Sequence, residues 1–140
     1  MVLDHIGIVV KSLEDGIQQW EEMFGYKKSS AIVTNTRQKV RVVFLSKKDS
    51  MTVKLLEPSE PASSVSSMAR RGGGLHHLCF RCADLKSQVP QWMQKGARLI
   101  VSAQPGEAFK NHDIAFFWVE NNLNIELIDT KEKEGWQEAD

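Results

Sequence analysis

The chain has 140 residues, of which 41% are hydrophobic and 26% are charged. That length fits one domain of ordinary size, or two small halves that share a core, and excludes a long multidomain enzyme. The 18 basic and 18 acidic residues cancel, so neither nucleic acid nor an anionic membrane is an expected partner. Because the apolar runs are too short to span a bilayer and lack the flanks of a signal peptide, we expect a cytoplasmic protein.

The first half of the chain has the pattern of one strand, one helix and three more strands. The segment from Asp4 to Val10 is short, rich in β-branched residues and bounded by polar residues, which predicts a strand. Ser12 is a favourable N-cap and Gly25 a favourable C-terminal cap, and apolar side chains recur at helical spacing between them. Further strands are expected at residues 26–33, 39–46 and 51–57.

The second half repeats this order. A shift of 72 residues superposes a set of matching side chains, namely His5 on His77, Leu13 on Leu85, Trp20 on Trp92, Phe44 on Phe116 and Leu55 on Leu127. The elements expected there are a strand at residues 75–82, a helix that ends before Gly96, and strands at 97–102, 113–120 and 123–129. Since the matches keep the order of the elements, we infer two copies of one βαβββ module.

The expected fold is therefore α+β, with two βαβββ modules that form one curved eight-stranded sheet around a shared cleft. The modules are residues 1–58 and 75–130. Residues 59–74 have the composition of a linker, with a short helix expected near residues 62–71. Residues 131–140 are polar and have no apolar period, so we expect this tail to be frayed or available to a partner.

Equivalent residues of the two modules should meet in pairs at the cleft. His5 would meet His77 from the first strands, and Lys54 would meet Glu126 from the last strands. Lys54 and Glu126 each interrupt an apolar run, where a charge is costly unless it is paired or binds something. Two imidazoles and a carboxylate would suit a divalent metal such as Zn, Co, Mn or Ni. The structural alternative is hydrogen-bonded core histidines with a simple ion pair, and His76 is expected to point to the opposite sheet face in a structural role.

Five segments of the chain resemble the vicinal oxygen chelate superfamily, the glyoxalase and bleomycin-resistance group, and within it most closely the methylmalonyl-CoA epimerase family. They are LDHIGIVVKSLEDGIQQWEEMFGY, VRVVFL, VKLLEP, RRGGGLHHLCFRCADL and NIELID. The resemblance implies an enolate-type epimerase or isomerase, a small-molecule carbonyl or acyl-CoA-like ligand, and a homodimer. The family's metal ligands carry over to His5, His77 and Glu126, whereas its fourth ligand, a Glu or Gln, is replaced by Lys54.

This lysine makes the metal doubtful, because a protonated lysine supplies donors and no acceptor. Either its ammonium takes the place of the cation and pairs with Glu126, or a three-ligand metal persists and Lys54 turns toward an anionic substrate. The added positive charge favours the metal-free arrangement. In an enzyme, Glu126 would move the proton and Lys54 would supply the positive charge. The alternatives are a metal-free small-molecule-binding protein of the bleomycin-resistance type and a glyoxalase I-like lyase, although such a lyase also needs the full ligand set.

Overall fold

The computed structural model describes residues 1–138, which form three α-helices and nine strands. In chain order these elements are β1 Val2–Val9, α1 Leu13–Phe24, β2 Lys27–Lys28, β3 Val33–Asn35, β4 Val40–Ser46, β5 Val53–Pro58, α2 Ser66–Arg70, β6 Gly74–Arg81, α3 Leu85–Gln94, β7 Arg98–Gly106, β8 His112–Val119 and β9 Leu123–Ile128. Two 3-10 turns follow β7 and β8, at Glu107–Phe109 and Glu120–Asn122. None of the helices within residues 1–138 is long and apolar enough to cross a membrane.

The strands form one sheet in the order β2-β4-β5-β1-β6-β9-β8-β7, and β3 also pairs with β4. The two first strands of the modules, β1 and β6, lie antiparallel at the centre. Each is flanked by the last strand of its own module, because β1 pairs with β5 and β6 pairs with β9, both in parallel. This arrangement confirms the α+β fold built from two βαβββ modules.

The repeat of 72 residues is visible in the strand register. Gly7 on β1 lies opposite Lys54 on β5, and Cys79 on β6 lies opposite Glu126 on β9. Each member of the second pair follows its counterpart in the first pair by the same 72 positions. Lys54 and Glu126 therefore occupy the same structural position in the two modules.

The two long helices begin in the same way in both modules. The backbone N–H of Leu13 donates to the Glu57 carboxylate at 3.0 Å, and the N–H of Leu85 donates to the Asp129 carboxylate at 2.9 Å. A carboxylate is favourable at a helix N-terminus, where backbone N–H groups are unpaired. The predicted N-cap Ser12 also accepts a hydrogen bond within the first turn, so the last strand of each module fixes the start of that module's helix.

The sheet has one strand more than the eight predicted, because the segment expected at residues 26–33 is divided into β2 and β3. Between them, the side-chain hydroxyl of Ser30 accepts the backbone N–H of Phe44 at 2.8 Å. A side-chain oxygen thus takes the place of a backbone carbonyl, and the regular ladder is interrupted there.

The expectation of a frayed C-terminal tail is wrong for residues 131–138. The backbone carbonyl of Glu134 accepts the N–H of Ala31 at 3.1 Å, and its backbone N–H donates to the carbonyl of Ala108 at 2.9 Å. Trp136 packs against the core. Polar composition concealed this packing, because backbone hydrogen bonds rather than an apolar period hold the segment. Residues 139–140 of the predicted tail lie outside the described residues.

Candidate active site

Four residues singled out in the sequence converge at the centre of the sheet. His5 lies on β1, Lys54 on β5, His77 on β6 and Glu126 on β9, and none is more than 2% exposed. The Glu126 carboxylate is their common neighbour. Its Oε1 lies 3.1 Å from His5 Nε2, 3.2 Å from His77 Nε2 and 3.6 Å from Lys54 Nζ. The pairing of equivalent residues predicted from the repeat therefore brings all four together.

The Lys54 ammonium is held mainly by charge and by aromatic rings. Nζ lies 5.1 Å from the ring centre of Phe109 and 5.8 Å from that of Phe44, within the range of cation–π attraction. Among the described residues, Nζ and the second carboxylate oxygen of Glu126 have no hydrogen-bond partner. Burial of unpaired polar atoms is costly, so this ion pair carries an unmet capacity for hydrogen bonding.

Three charged residues that the sequence analysis did not select form a network of ion pairs next to Nδ1 of His5. They are Asp4, Arg81 and Lys133. His5 Nδ1 lies 2.7 Å from Oδ2 of Asp4, which fixes the orientation of the ring. The same carboxylate accepts from Arg81 at 2.7 Å and from Lys133 at 3.3 Å. Asp4 is adjacent to His5 in sequence and could have been chosen on that ground, whereas Lys133 belongs to the C-terminal segment and gave no signal.

Two β-bulges turn further side chains toward the cluster. In the ladder between β1 and β6, Asp4 and His76 have no direct partner, and the register shifts at each of them. A bulge re-aims the extra residue, so the expectation that His76 points to the opposite sheet face from His77 is wrong, whereas its structural role stays a prediction. His76 Nδ1 lies 2.8 Å from His77 Nδ1. The bulges are equivalent in the repeat, since positions 4 and 76 differ by 72.

The surroundings set the protonation of the cluster. Burial acts to raise the pKa of Glu126, but the Lys54 charge and the hydrogen bonds from His5 and His77 hold that pKa well below its ordinary value. Burial lowers the pKa of His77 to about 3 despite the neighbouring carboxylate, and burial together with the Lys54 charge lowers the pKa of His76. At neutral pH the site therefore holds an ionised Glu126 and neutral imidazoles at positions 76 and 77.

The donor set can be tested against the divalent metal that the superfamily resemblance implies. Ligand atoms of His5, His77 and Glu126 lie within 4.8 Å of one another, a spacing that would suit one ion. Lys54, however, places a hydrogen-bond donor 3.6 Å from the oxygen that would bind that ion. Because Lys54 is fully buried, it does not turn outward toward a substrate. The residues present do not fit a divalent metal beside a protonated Lys54.

A cavity of about 520 Å³ adjoins the cluster. His76 and Phe116 contribute to its wall, whereas His5, Lys54 and Glu126 do not. Basic side chains from the turn between β3 and β4, together with polar groups from β7 and β9, complete a wall that includes Arg37, Lys39, Gln104 and Asn124. A ligand in this cavity would meet both the positive charges of Arg37 and Lys39 and the imidazole of His76.

Paired βαβββ modules around a central cluster of histidines and a carboxylate define a vicinal oxygen chelate type of protein. The chain belongs to the glyoxalase/bleomycin resistance protein/dioxygenase superfamily, because the model of that family matches residues 4–116. This match confirms the superfamily inferred from the sequence segments.

Three relatives illustrate the similarity. The uncharacterised protein YqjC of Bacillus subtilis is 32% identical over 132 residues, which cover 92% of each chain. The crystal structure of methylmalonyl-CoA epimerase from Mycobacterium tuberculosis has a TM-score of 0.80 at 27% identity, covering 91% of this chain and 87% of that chain. A methylmalonyl-CoA epimerase in complex with methylmalonyl-CoA and NH4+ has a TM-score of 0.77 at 25% identity, covering 95% and 97%.

Proposed function

We propose that the protein is an epimerase or isomerase that moves a proton next to the carbonyl of an acyl-CoA-like compound. One observation carries the proposal, namely the series of close polar contacts from His76 in the cavity wall through His77 to Glu126. The similarity to methylmalonyl-CoA epimerases, one of them in complex with methylmalonyl-CoA, supports the substrate class. Arg37 and Lys39 supply positive charge for a carboxylate or phosphate on such a ligand.

The proton moves through the histidine pair. The carbon beside the carbonyl loses its proton to His76 Nε2, the ring nitrogen that is not engaged with His77. The proton on His76 Nδ1 passes to His77 Nδ1, 2.8 Å away, and the proton on His77 Nε2 passes to Glu126 Oε1, 3.2 Å away. The electron pair of the broken C–H bond remains on the ligand as an enolate, and Glu126 becomes neutral. Epimerisation is complete when the enolate rotates so that its opposite face meets His76, and the proton returns to the carbon on that face.

Lys54 provides a fixed counter-charge in this scheme. Before proton transfer its ammonium balances the Glu126 carboxylate at 3.6 Å. Transfer neutralises that carboxylate at a cost, because Lys54 holds the pKa of Glu126 low, and the attraction of the ammonium for the enolate in the cavity offsets part of this cost. A charge held in place in a buried site needs little reorganisation during the reaction, which is why such groups are effective in catalysis.

Solvent exchange tests this function. The protein is incubated in D2O with methylmalonyl-CoA, and mass spectrometry measures deuterium incorporation. We expect exchange by the natural chain and a loss of roughly 100-fold or more in Glu126→Gln and in His76→Gln, because each variant breaks the path of the proton. His112→Gln is the matched control, since His112 is exposed and pairs with Glu132 at 3.0 Å. Absence of exchange by the folded natural chain, or an unchanged rate in His76→Gln, would contradict the proposal.

A binding protein without chemistry is the second candidate. It is favoured by the burial of His5, Lys54 and Glu126, none of which lines the cavity. Titration calorimetry with propionyl-CoA separates the two candidates when it is combined with the exchange assay. Binding without exchange supports the second candidate, and binding with exchange supports the enzyme.

A further inference from the structure

The Lys54–Glu126 pair does not have the geometry of an ordinary buried ion pair. A charge-assisted N–H···O bond is about 2.7–2.9 Å long, whereas Lys54 Nζ lies 3.6 Å from Glu126 Oε1. Within residues 1–138, Nζ and Glu126 Oε2 both lack a hydrogen-bond partner, although both are buried. The ammonium thus lies beside the Glu126 carboxylate without a close hydrogen bond to it.

The surrounding charges leave Lys54 as the cation of this cluster. Asp4, the other buried carboxylate nearby, is already matched by Arg81 at 2.7 Å and by Lys133 at 3.3 Å. Within the described residues, the Glu126 carboxylate has Lys54 as its single lysine or arginine partner. A divalent ion added here would meet an ammonium at close range in a site with little water to screen the repulsion.

We propose that the Lys54 ammonium takes the position of a divalent cation among His5, His77 and Glu126, and that residue 54 alone keeps this site closed to metal. The other three donors already have the spacing of ligands to one ion. Replacing the ammonium by an oxygen ligand would then convert the cluster into a metal site. This inference deepens the proposed function, but its test measures metal binding without any substrate, so either can fail alone.

Calorimetric titration with CoCl2, combined with the visible absorption of bound Co2+, tests the proposal on tag-free protein. We expect weak or undetectable binding by the natural chain and an affinity at least ~100-fold higher for Lys54→Glu, because one ligand is gained and one repulsive charge is lost. Lys54→Met removes the charge without adding a ligand, so its affinity should be intermediate. Lys54→Gln, which supplies a neutral oxygen, carries the test if circular dichroism shows that Lys54→Glu is unfolded.

Two controls assign the binding to this cluster. Lys131→Met changes an exposed lysine of the C-terminal segment and should leave Co2+ affinity at the natural level. His5→Ala, combined with Lys54→Glu, should abolish the gain. Tight binding of Co2+ by the natural chain at His5 and His77 would overturn the proposal, and so would no gain in affinity in Lys54→Glu or, if that variant is unfolded, in Lys54→Gln.

Discussion

At the scale of single residues, a glycine makes room for the cluster. Gly7 lies opposite His77 in the central ladder, and a Cβ atom at position 7 would overlap the imidazole ring. The φ angle of Gly7 is not positive, so its backbone is not in the left-handed conformation that favours glycine. Position 7 therefore requires glycine because a larger residue would not fit beside the His77 ring.

This close approach predicts the effect of Gly7→Ala. The new methyl group should displace His77 and lower the free energy of unfolding by about 1–3 kcal/mol, as overpacking does. Chemical denaturation measures the change. In a His77→Ala background the same substitution should cost much less, because the ring that it meets is gone. An equal cost in both backgrounds would show that the ring is not what excludes a side chain at position 7.

The charge pair gives a second prediction at this scale. Lys54→Met leaves an unpaired buried carboxylate at Glu126 and should lower the free energy of unfolding by about 3–5 kcal/mol. Adding Glu126→Gln removes that charge and should restore a large part of the loss. Denaturant titrations of the two single variants and the double variant measure the coupling. Additive effects of the two substitutions would contradict a direct interaction between the residues.

The convergence of the four cluster residues was predictable from sequence because strand alternation decides it, whereas their roles as ligands or catalytic groups stay predictions. His5, Lys54, His77 and Glu126 were brought together by the repeat alone, since equivalent positions of paired strands face the same side. His76 was placed wrongly, because a β-bulge breaks the alternation and the sequence carries no clear sign of it. A second bulge, at Asp4, turns a carboxylate toward His5 in the same way.

At the scale of elements, the C-terminal segment is part of the site's support. Lys133 is 8% exposed and pairs with Asp4, the residue that orients His5. Its Nζ also lies 5.2 Å from the ring centre of Phe44, a neighbour of Lys54. The segment thus connects the end of the chain to the opening strand and to the buried cation.

Deleting residues 131–140 should therefore destabilise the fold. The described part of the segment makes three backbone hydrogen bonds with the rest of the fold, from Ala31 to Glu134, from Glu134 to Ala108 and from Gln137 to Ser29. At about 1 kcal/mol each, these alone predict a loss of about 3 kcal/mol. Denaturation of the shortened chain measures it, and Lys131→Ala, at an exposed position of the segment, should have little effect. A shortened chain as stable as the natural one would show that the segment is dispensable.

Element order was predictable because periodicity and caps specify it locally. Ser12 and Gly25 bound the first helix as expected. The division into β2 and β3 was not predictable, since it depends on a serine side chain that replaces a backbone acceptor from another strand. The packing of the C-terminal segment depends on partners about one hundred residues away in the chain, such as Ala31, which local pattern does not reveal.

At the scale of the whole molecule, the two copies of one module carry opposite charges at one equivalent pair of positions, 54 and 126. Lys54 and Glu126 bring opposite charges to the same site from the two halves, so the repeat itself builds the ion pair. The homodimer implied by the superfamily resemblance stays a prediction. In the proposed enzyme the cavity binds the acyl-CoA-like ligand, and the buried cluster beside it holds the charges that act on that ligand.

In the proposed enzyme a fixed lysine ammonium, rather than a divalent ion, supplies the positive charge for proton exchange. The most direct measurement is the rate of deuterium incorporation into methylmalonyl-CoA by EDTA-treated protein, for the natural chain and for Lys54→Met that is folded by circular dichroism. We predict that EDTA leaves the rate of the natural chain unchanged and that Lys54→Met lowers it roughly 100-fold or more. Exchange that EDTA abolishes and Co2+ restores in the natural chain would contradict the account.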